Sequence, residues 1–495
     1  MTIRMPTIDE ISAAFEKGKE AVIELFSDVG KQVEGLAAQL EKQAAALKEL
    51  QDRFSKNSQN SSKPPSSDGY AKPKKTRSLR KAGQKPSGGQ PGHKGNTLKA
   101  SDNPDHEITH KLDNCPHCHA SLKDVEASGR EERQVFDIPA MRIEVTAHYA
   151  EIKVCPRCGE KSKSEFPCGV AQSTQYGNGV KTWAAYFMNQ HFVSVERTAQ
   201  LFSDLLNHDV SEGTLLKASE DLSEAISPAV EAVKDQLSEA AVLNLDESGL
   251  RVEGRLHWLH VASTKEGTHY EVHAKRGKEG MDEAGILNNF NGKAMHDHWK
   301  PYFKYEGCDH TLCNAHHLRE LQFIEDGYEQ SWAKEMAELL LEIKDAVERS
   351  NPSATSLPED EITAFDKRYD EIVKKGFEEN SNAQSSAPES TEKKRGRVKQ
   401  TPPVNLLIRL RDFKTGTLEF MRDFRVPFDN NLAERDVRMV KVKQKVSGGF
   451  RTIEGARRFG RIRGYISTAR KNAVNVFKAF KDAFDGSPFI PCPVT

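Results

Sequence analysis

Apolar residues recur at Val22, Phe26, Val29, Val33, Leu36, Leu40, Leu47, Leu50 and Phe54, with Gln43 the polar occupant of the same series. Steps of three and four over about four heptads form a coiled-coil seam and predict one long helix ending near Phe54. A helix packed on its own chain would show the same pattern. The next stretch offers no core to receive it, so self-association through residues 1–54 is the favoured reading. From Ser55 the chain runs through NSQNSSKPPSSDG, KPKKTRSLRK and GQKPSGGQPGHKGN. Pro, Gly, Ser and Lys dominate, so residues 55–107 are expected to be a basic, disordered linker.

A Cys-rich module follows over 108–170, then a helical, candidate DNA-binding region over 171–240. Val195–Leu206 is predicted as one helix, Asn207-His208-Asp209 as a turn, and Ser211 as the N-cap of a second helix. Two short helices about a tight turn fit a helix-turn-helix or an ordinary helical hairpin equally well. From Ala241 the period changes. AVLNLD is an apolar run closed by Asp246; LHWLHVAS and HYEVHA are β-rich, with Gly254 and Gly267 in the turns. Met281–Phe290 is a candidate short helix, GKAMHDH a strand ending near Asp297, and HTLCN a further strand. Strands followed by helix, strand and helix predict a mixed α/β sheet over 241–330. Residues 331–403 read as a helical and low-complexity insertion holding KKRGRVK, which suits a minor-groove arm or a solvated loop. Residues 404–495 read as helical and basic. The expected class is multidomain α/β.

At 495 residues, 37% hydrophobic and 29% charged, the chain is long enough for several domains with real cores. No apolar stretch approaches the ~18 residues of a membrane helix, and Met1–Glu20 lacks a signal-peptide apolar run. The expected location is the cytoplasm, at the nucleoid, with no membrane partner. The net charge of −1 hides segregation. Lys56–Lys99 carries eleven Lys and Arg against one acid, Asp68, and Arg435–Lys471 carries twelve against Asp436 and Glu454. Two such stretches in a neutral chain point to a polyanion, most simply DNA.

Cys115-Pro-His-Cys118 and Cys155-Pro-Arg-Cys158 are two CxxC knuckles. Together they supply the four thiolates of a structural Zn²⁺ shell, which folds its module and leaves no open position for chemistry. A redox CxxC is the alternative. The intervening GREERQVFDIPAMRIEVTAHYAEIKV is expected to form a β-hairpin.

Three acids stand in ordered surroundings: Asp246, Asp297, and Glu434 in PFDNNLAERDVRMV, a helix that Asp429 could cap. Acids at the ends of adjacent strands, with one from a helix packed on the sheet, could hold two hard cations about 3.5–4 Å apart for phosphodiester chemistry. Any one of them alone would read as a solvated carboxylate. Asp309 is the nearby alternative for the second acid.

The residues NSQNSSKPPSSDG, GGQPGHKGNTL, the paired CxxC module, LDES and above all DNNLAERDVR resemble transposases of the insertion sequence 66 family, in the right order along nearly the whole chain. The resemblance implies an RNase H-like core with a DDE triad. The triad falls on Asp246, Asp297 and Glu434, with Mg²⁺ or Mn²⁺ as the catalytic pair of ions. It also implies binding to the element's terminal inverted repeats and to target DNA, strand cleavage and strand transfer, a homodimer or larger synaptic complex, and accessory proteins of the same element. Cys313-Asn-Ala-His316 looks like the Cys-x-x-His string of several DDE transposases, with a structural role. The basic residues after Glu434 suit gripping phosphates beside the scissile bond: Arg435, Arg438, Lys441, Lys443, Arg451, Arg457 and Arg458. Two rival readings remain. A non-enzymatic zinc-containing DNA-binding regulator would not need the ordered acids. An inactive transposase remnant would keep them.

Overall fold

A computed structural model describes residues 4–56, 98–381 and 400–492. Most of the expected linker and the KKRGRVK segment lie outside the described residues. The chain divides into two compact units, one of residues 1–74, 168–199 and 210–495, the other of 75–167 and 200–209.

In the first unit, helix α1 (Ile8–Lys17) opens with a reciprocal cap between Thr7 and Glu10 and packs on α2 (Lys19–Ser55). The predicted long helix therefore ends one residue after Phe54. Its seam residues Phe26, Val33, Leu40, Leu47, Leu50 and Phe54 are exposed. The last turns of α2 reach Gly327 and Tyr328, where Lys48 Nζ donates to the Gly327 carbonyl at 2.6 Å and Asp52 accepts from Tyr328 Oη.

The second unit holds the two knuckles and a short ladder, β1 (Ile152–Val154) antiparallel to β2 (Lys161–Lys163). The hairpin expected between the knuckles does not form beyond β1. Val135, Ile138, Val145 and Tyr149 are exposed, and among the described residues no strand or helix is formed over 122–151.

A helical group precedes the sheet. It comprises α3 (Asn178–Ala185) with a π-helical turn at Tyr186–Gln190, α4 (Val195–Leu206), α5 (Glu212–Ala225) and α6 (Ser227–Ser238). The predicted helix, turn and cap are all present: Asn207 takes φ 48° and Ser211 Oγ accepts from Thr214 N at 3.2 Å.

The sheet is formed by β3 (Val242–Val252), β4 (Arg255–Ser263), β5 (Thr268–His273), β6 (Lys293–His296) and β7 (Asp309–Leu312), in the order β5-β4-β3-β6-β7. The first three are antiparallel neighbours, while β6 and β7 run parallel to β3. The helix expected over Met281–Phe290 is α7 (Lys278–Ala284), followed after β6 by a 3₁₀ turn at Lys300–Lys304. Beyond β7 come α8 (Asn314–Tyr328), α9 (Ser331–Arg349), α10 (Glu359–Glu379), α11 (Pro402–Asp412) and α12 (Lys414–Arg422). These five build one helical core around Trp332, Leu340, Tyr369 and Leu407. The chain then returns to the sheet in α13 (Asn431–Ser447), α14 (Ile453–Lys471) and α15 (Val476–Phe484).

Alternation along β3 divides the sheet's two faces. Leu243 and Leu245 join Met281, Phe290 and Tyr302 on one face. Leu250 and Val252 join Val437, Val440 and Phe459 on the other, under α13 and α14. Asn244 and Asp246 share the parity of Leu250, so they belong to the face that α13 covers. Helix α14 reaches β5 because Gly460 and Gly464 lie one turn apart. A Cβ at Gly464 would stand 2.9 Å from the Thr268 carbonyl oxygen, inside ordinary contact distance.

Candidate active site

Strands β3 and β6 pair in parallel, with Val242 opposite Lys293 and Asn244 opposite Met295. Continuing that register two residues sets Asp246 opposite Asp297, the first residue past β6. Asp246 therefore lies inside a strand that runs on to Val252, not at the strand end expected from AVLNLD. ESGLRV keeps pairing with β4 up to the turn at Glu253 and Gly254. Asp309 opens β7 opposite Lys293, at the far end of the parallel strands, and is exposed. The histidines flanking Asp297 serve packing. His296 Nε2 lies 3.0 Å from His310 Nδ1 and its ring stacks on Tyr302, while the His298 ring packs edge-on against Phe413.

Glu434 sits in the first turn of α13, whose N-cap is Asn430 rather than the expected Asp429. Asn430 is buried and every polar group it offers is used. Its Oδ1 accepts from Asn244 Nδ2 at 2.9 Å, its Nδ2 donates to the Leu245 carbonyl at 2.7 Å, and its N–H donates to Cys313 Sγ at 3.2 Å. Its carbonyl accepts the Glu434 N–H at 3.1 Å. One side chain thus ties the Glu434 helix to the two residues that precede Asp246.

Burial raises the Asp246 carboxyl well above the usual carboxylate range, and the negative charges of Glu247, Asp297 and Glu434 add to it. Burial and then Glu247 push Asp297 up to about 6, opposed by the Trp299 N–H that donates to Asp297 Oδ1 at 2.8 Å. Glu247 points to the opposite face. There it receives Arg276 Nε at 2.9 Å and Nη2 at 2.5 Å, and the Tyr302 hydroxyl at 2.5 Å. The Arg276 guanidinium lies between the rings of Trp258 and Trp299, 4.8 and 4.3 Å from their centroids. Sequence reasoning missed Glu247, Arg276 and Asn430. Asn430 had a signal in the paired Asn of DNNLAER, whereas Arg276 in HAKRG had none.

On the other flank, Cys313 follows β7 as the N-cap of α8, and His316 lies in the first turn of α8. Cys313, His316 and Glu434 each offer a ligand atom, all within 4.8 Å of one another, the one such group among the described residues. The four knuckle cysteines are not gathered at that spacing. Each knuckle is nonetheless formed, and the two are formed alike. The N–H of Cys115 donates to Ala120 O and that of His119 to Cys115 O; Cys155 and Gly159 repeat both bonds with Glu160 and Cys155. The fifth residue of each turn has positive φ, 59° at His119 and 74° at Gly159. Backbone N–H groups of His117 and Cys118, and of Arg157 and Cys158, lower the first thiol of each pair, as suits thiolate ligands.

The basic candidates are placed differently from one another. Arg435, Arg438 and Arg451 are exposed, with Arg438 3.6 Å from Glu434. Arg457 and Arg458 pair with Glu283 at 3.4 Å and Glu220 at 3.0 Å. Lys441 donates to the Gly249 carbonyl of β3. Lys443 closes the C-terminus of α13 on Gly448 and Gly449 at 3.0 and 3.2 Å, and burial lowers it to about 8. Both ammonium groups are engaged inside the fold.

A profile described as the Transposase IS66 family matches residues 173–458, more than half of the chain. A second, the zinc-finger binding domain of transposase IS66, matches residues 113–159 and so contains all four knuckle cysteines. A third, described as a family of unknown function, matches residues 5–99. No curated protein matches.

The raised acids carry a stability consequence. A carboxyl at about 6 in the fold and near 3.8 in the unfolded chain favours folding most below 3.8, and that contribution is lost as pH rises through 6. With divalent ions removed, Asp297→Asn should therefore be more stable than wild type at pH 7.5, by on the order of 3 kcal/mol. The advantage should shrink as pH falls through 6 and vanish near 4. Urea unfolding in chelator across that range checks it; equal stability at pH 7.5 would show that Asp297 is not strained by charge.

Proposed function

Because the chain belongs to the IS66 transposase family, we propose that it is an active DDE transposase that binds the ends of its insertion sequence, cleaves them and joins them to target DNA. The observation that carries this reading is the convergence of three acids from distant parts of the sequence. Asp246 on β3 and Asp297 just past the end of β6 fall opposite each other when the parallel register is continued, and Asn430 pins the Glu434 helix to β3. The sheet order, three antiparallel strands followed by two parallel ones, supports an RNase H-like core.

The residues fit a pair of divalent cations. After burial and Glu247, the charges of Asp297 and Glu434 add to the raised proton affinity of Asp246, and Glu434 Oε1 is buried without a donor among the described residues. Both features call for positive charge. Bound Mg²⁺ or Mn²⁺ would activate the attacking oxygen and stabilise the leaving 3′ oxygen. The chain's own part is to hold Asp246, Asp297 and Glu434 at fixed separation and to keep Asp246 and Asp297 largely out of water. Arg435, Arg438 and Arg451 would grip flanking phosphates. Arg457 and Arg458 could do so by exchanging their glutamate partners for phosphate, whereas Lys441 and Lys443 are already committed. A regulator without catalysis would have no use for an acid pair buried at this cost.

One Zn²⁺ shared by Cys115, Cys118, Cys155 and Cys158 would fold the second unit. A second copy of the chain would cover the exposed seam of α2.

Glu434→Gln, Asp246→Asn and Asp297→Asn are each expected to lose strand nicking and joining by a factor of about 100 or more, equivalent to about 3 kcal/mol, while still shifting end-bearing DNA on a gel. Asp309→Asn should keep activity. Normal cleavage by Glu434→Gln would remove the triad, and loss of binding along with cleavage would leave the catalytic roles unsupported. Elemental analysis should find one equivalent of zinc less in Cys155→Ser than in wild type, with the sheet unit still folded; zinc-free wild type would overturn that site. Charged residues at Leu36 and Leu40 together should halve the sedimenting mass of a dimer without lowering the core's melting temperature. An unchanged mass would show that the seam does not hold copies together.

A further inference from the structure

Cys313, His316 and Glu434 meet where the end of β7, the first turn of α8 and the first turn of α13 converge. One ligand atom from each lies within 4.8 Å of the other two. His316 Nδ1 and Glu434 Oε1 are both buried, and among the described residues neither has a hydrogen-bond partner. Buried polar atoms are rarely left in that state. Here two of them, an imidazole nitrogen and a carboxylate oxygen, lie in one cluster with a sulfur. The third member is already oriented: Cys313 Sγ accepts the Asn430 N–H at 3.2 Å, the kind of outer hydrogen bond that fixes a metal's ligands. The other Glu434 oxygen, Oε2, lies 3.6 Å from Arg438, whereas Oε1 has no partner among the described residues.

We propose that Cys313, His316 and Glu434 together bind one borderline divalent ion of the Zn²⁺ or Co²⁺ class. A nitrogen, a sulfur and a single carboxylate oxygen select such an ion over Mg²⁺, which keeps an all-oxygen octahedral shell. Three protein ligands leave a fourth position open, as in sites where an ion meets substrate or water. The proposal rests on the reading of Glu434 as an active-site acid and gives that acid a second duty. Through it, the Cys-x-x-His string becomes a metal-binding arm of the site rather than only a packing element. The ion would be separate from that of the CxxC knuckles, and it would clamp α13 to α8 beside Asp246.

The test uses the full chain, freed of metal and titrated with Co²⁺, as wild type and as Cys313→Ala, His316→Gln, Glu434→Gln and Asp246→Asn. The knuckle cysteines contribute to all five proteins and cancel in difference spectra. Wild type is expected to bind one Co²⁺ more than Cys313→Ala, with a thiolate-to-cobalt charge-transfer band in the difference spectrum. His316→Gln and Glu434→Gln should weaken that ion by at least about tenfold. Asp246→Asn should keep the band although it no longer cleaves DNA, which separates this site from the catalytic reading. If Cys313→Ala and His316→Gln bind Co²⁺ with wild-type stoichiometry and spectrum, the proposal fails whatever the outcome of the cleavage assay. If Cys313→Ala does not fold by circular dichroism, His316→Gln decides the matter. It retains an amide that can donate to Glu434, so unchanged Co²⁺ affinity in a folded His316→Gln protein overturns the site.

Discussion

The Asn430 amide has one acceptor and two donors, and it is buried between a strand and a helix that are 186 residues apart along the chain. Its bonds run to Asn244 and Leu245, while the same residue's backbone N–H donates to Cys313 Sγ and its backbone carbonyl accepts the Glu434 N–H. Each partner is a near neighbour of a residue of the candidate site: Asp246 follows Leu245, and His316 lies one turn beyond Cys313. The bonds are directional and shielded from water, so they fix one register of α13 against β3 where apolar packing alone would tolerate sliding. Aspartate is nearly the same shape, but as a carboxylate it has no donor for the Leu245 carbonyl. The amide is required by the pattern of donors, not by volume.

That fixed register works against a strong opposing force. Burial first, and then the charge of Glu247, raises both Asp246 and Asp297 above their ordinary range, with Asp297 adding to the shift of Asp246. The surrounding fold must hold together what charge would separate. On one side Arg276 neutralises Glu247 without reaching the face on which Asp246 lies. On the other, Lys293 of β6 donates to Glu419 at 2.6 Å and Asp423 at 2.7 Å, clasping the strand that leads into Asp297 to α12 and the residue that follows it. Asp423 is depressed by Arg425 first and then by Lys293. The helical layer around Trp332 is thus joined to the sheet by ion pairs as well as by packing. Local instability at the acids, offset by rigidity around them, is the pattern expected of a functional site.

Elements with a local cause were legible in the sequence. The 195–206 helix, the Asn207 turn and the Ser211 cap depend on neighbours a few residues away, and they stand as read. The strand pattern and the placement of Asp297 just past β6 were legible for the same reason. The length of β3 was not: ESGLRV is polar enough to read as a loop, and it becomes strand because β4 pairs with it residue for residue through Val252. The hairpin expected between the knuckles failed conversely: its alternating residues stay exposed and form no strand before Ile152. Glu247, Arg276 and Asn430 owe their roles to contacts spanning 29 residues or more, which no periodicity announces. The basic tail was legible as charge but not as exposure, because burial sorted Lys441 and Lys443 from Arg435 and Arg438.

That sorting follows from the geometry of α13. Ala433, Val437 and Val440 form its buried stripe, at spacings of four and three residues, with Val437 and Val440 packed on the face of β3 and β4. Lys441 follows that stripe and is drawn in to cap a strand carbonyl, whereas Arg435 and Arg438 lie to the outside. Glu434 sits at the border between the two faces, beside the buried stripe and one turn before Arg438. A phosphate backbone held by Arg435 and Arg438 would therefore run along the same edge of the helix that presents Glu434. The separation between grip and carboxylate would be set by a single helical turn of about 5.4 Å. A helix is stiff over that distance, so the amphipathic pattern that seats α13 on the sheet would also set how far bound DNA lies from the acids.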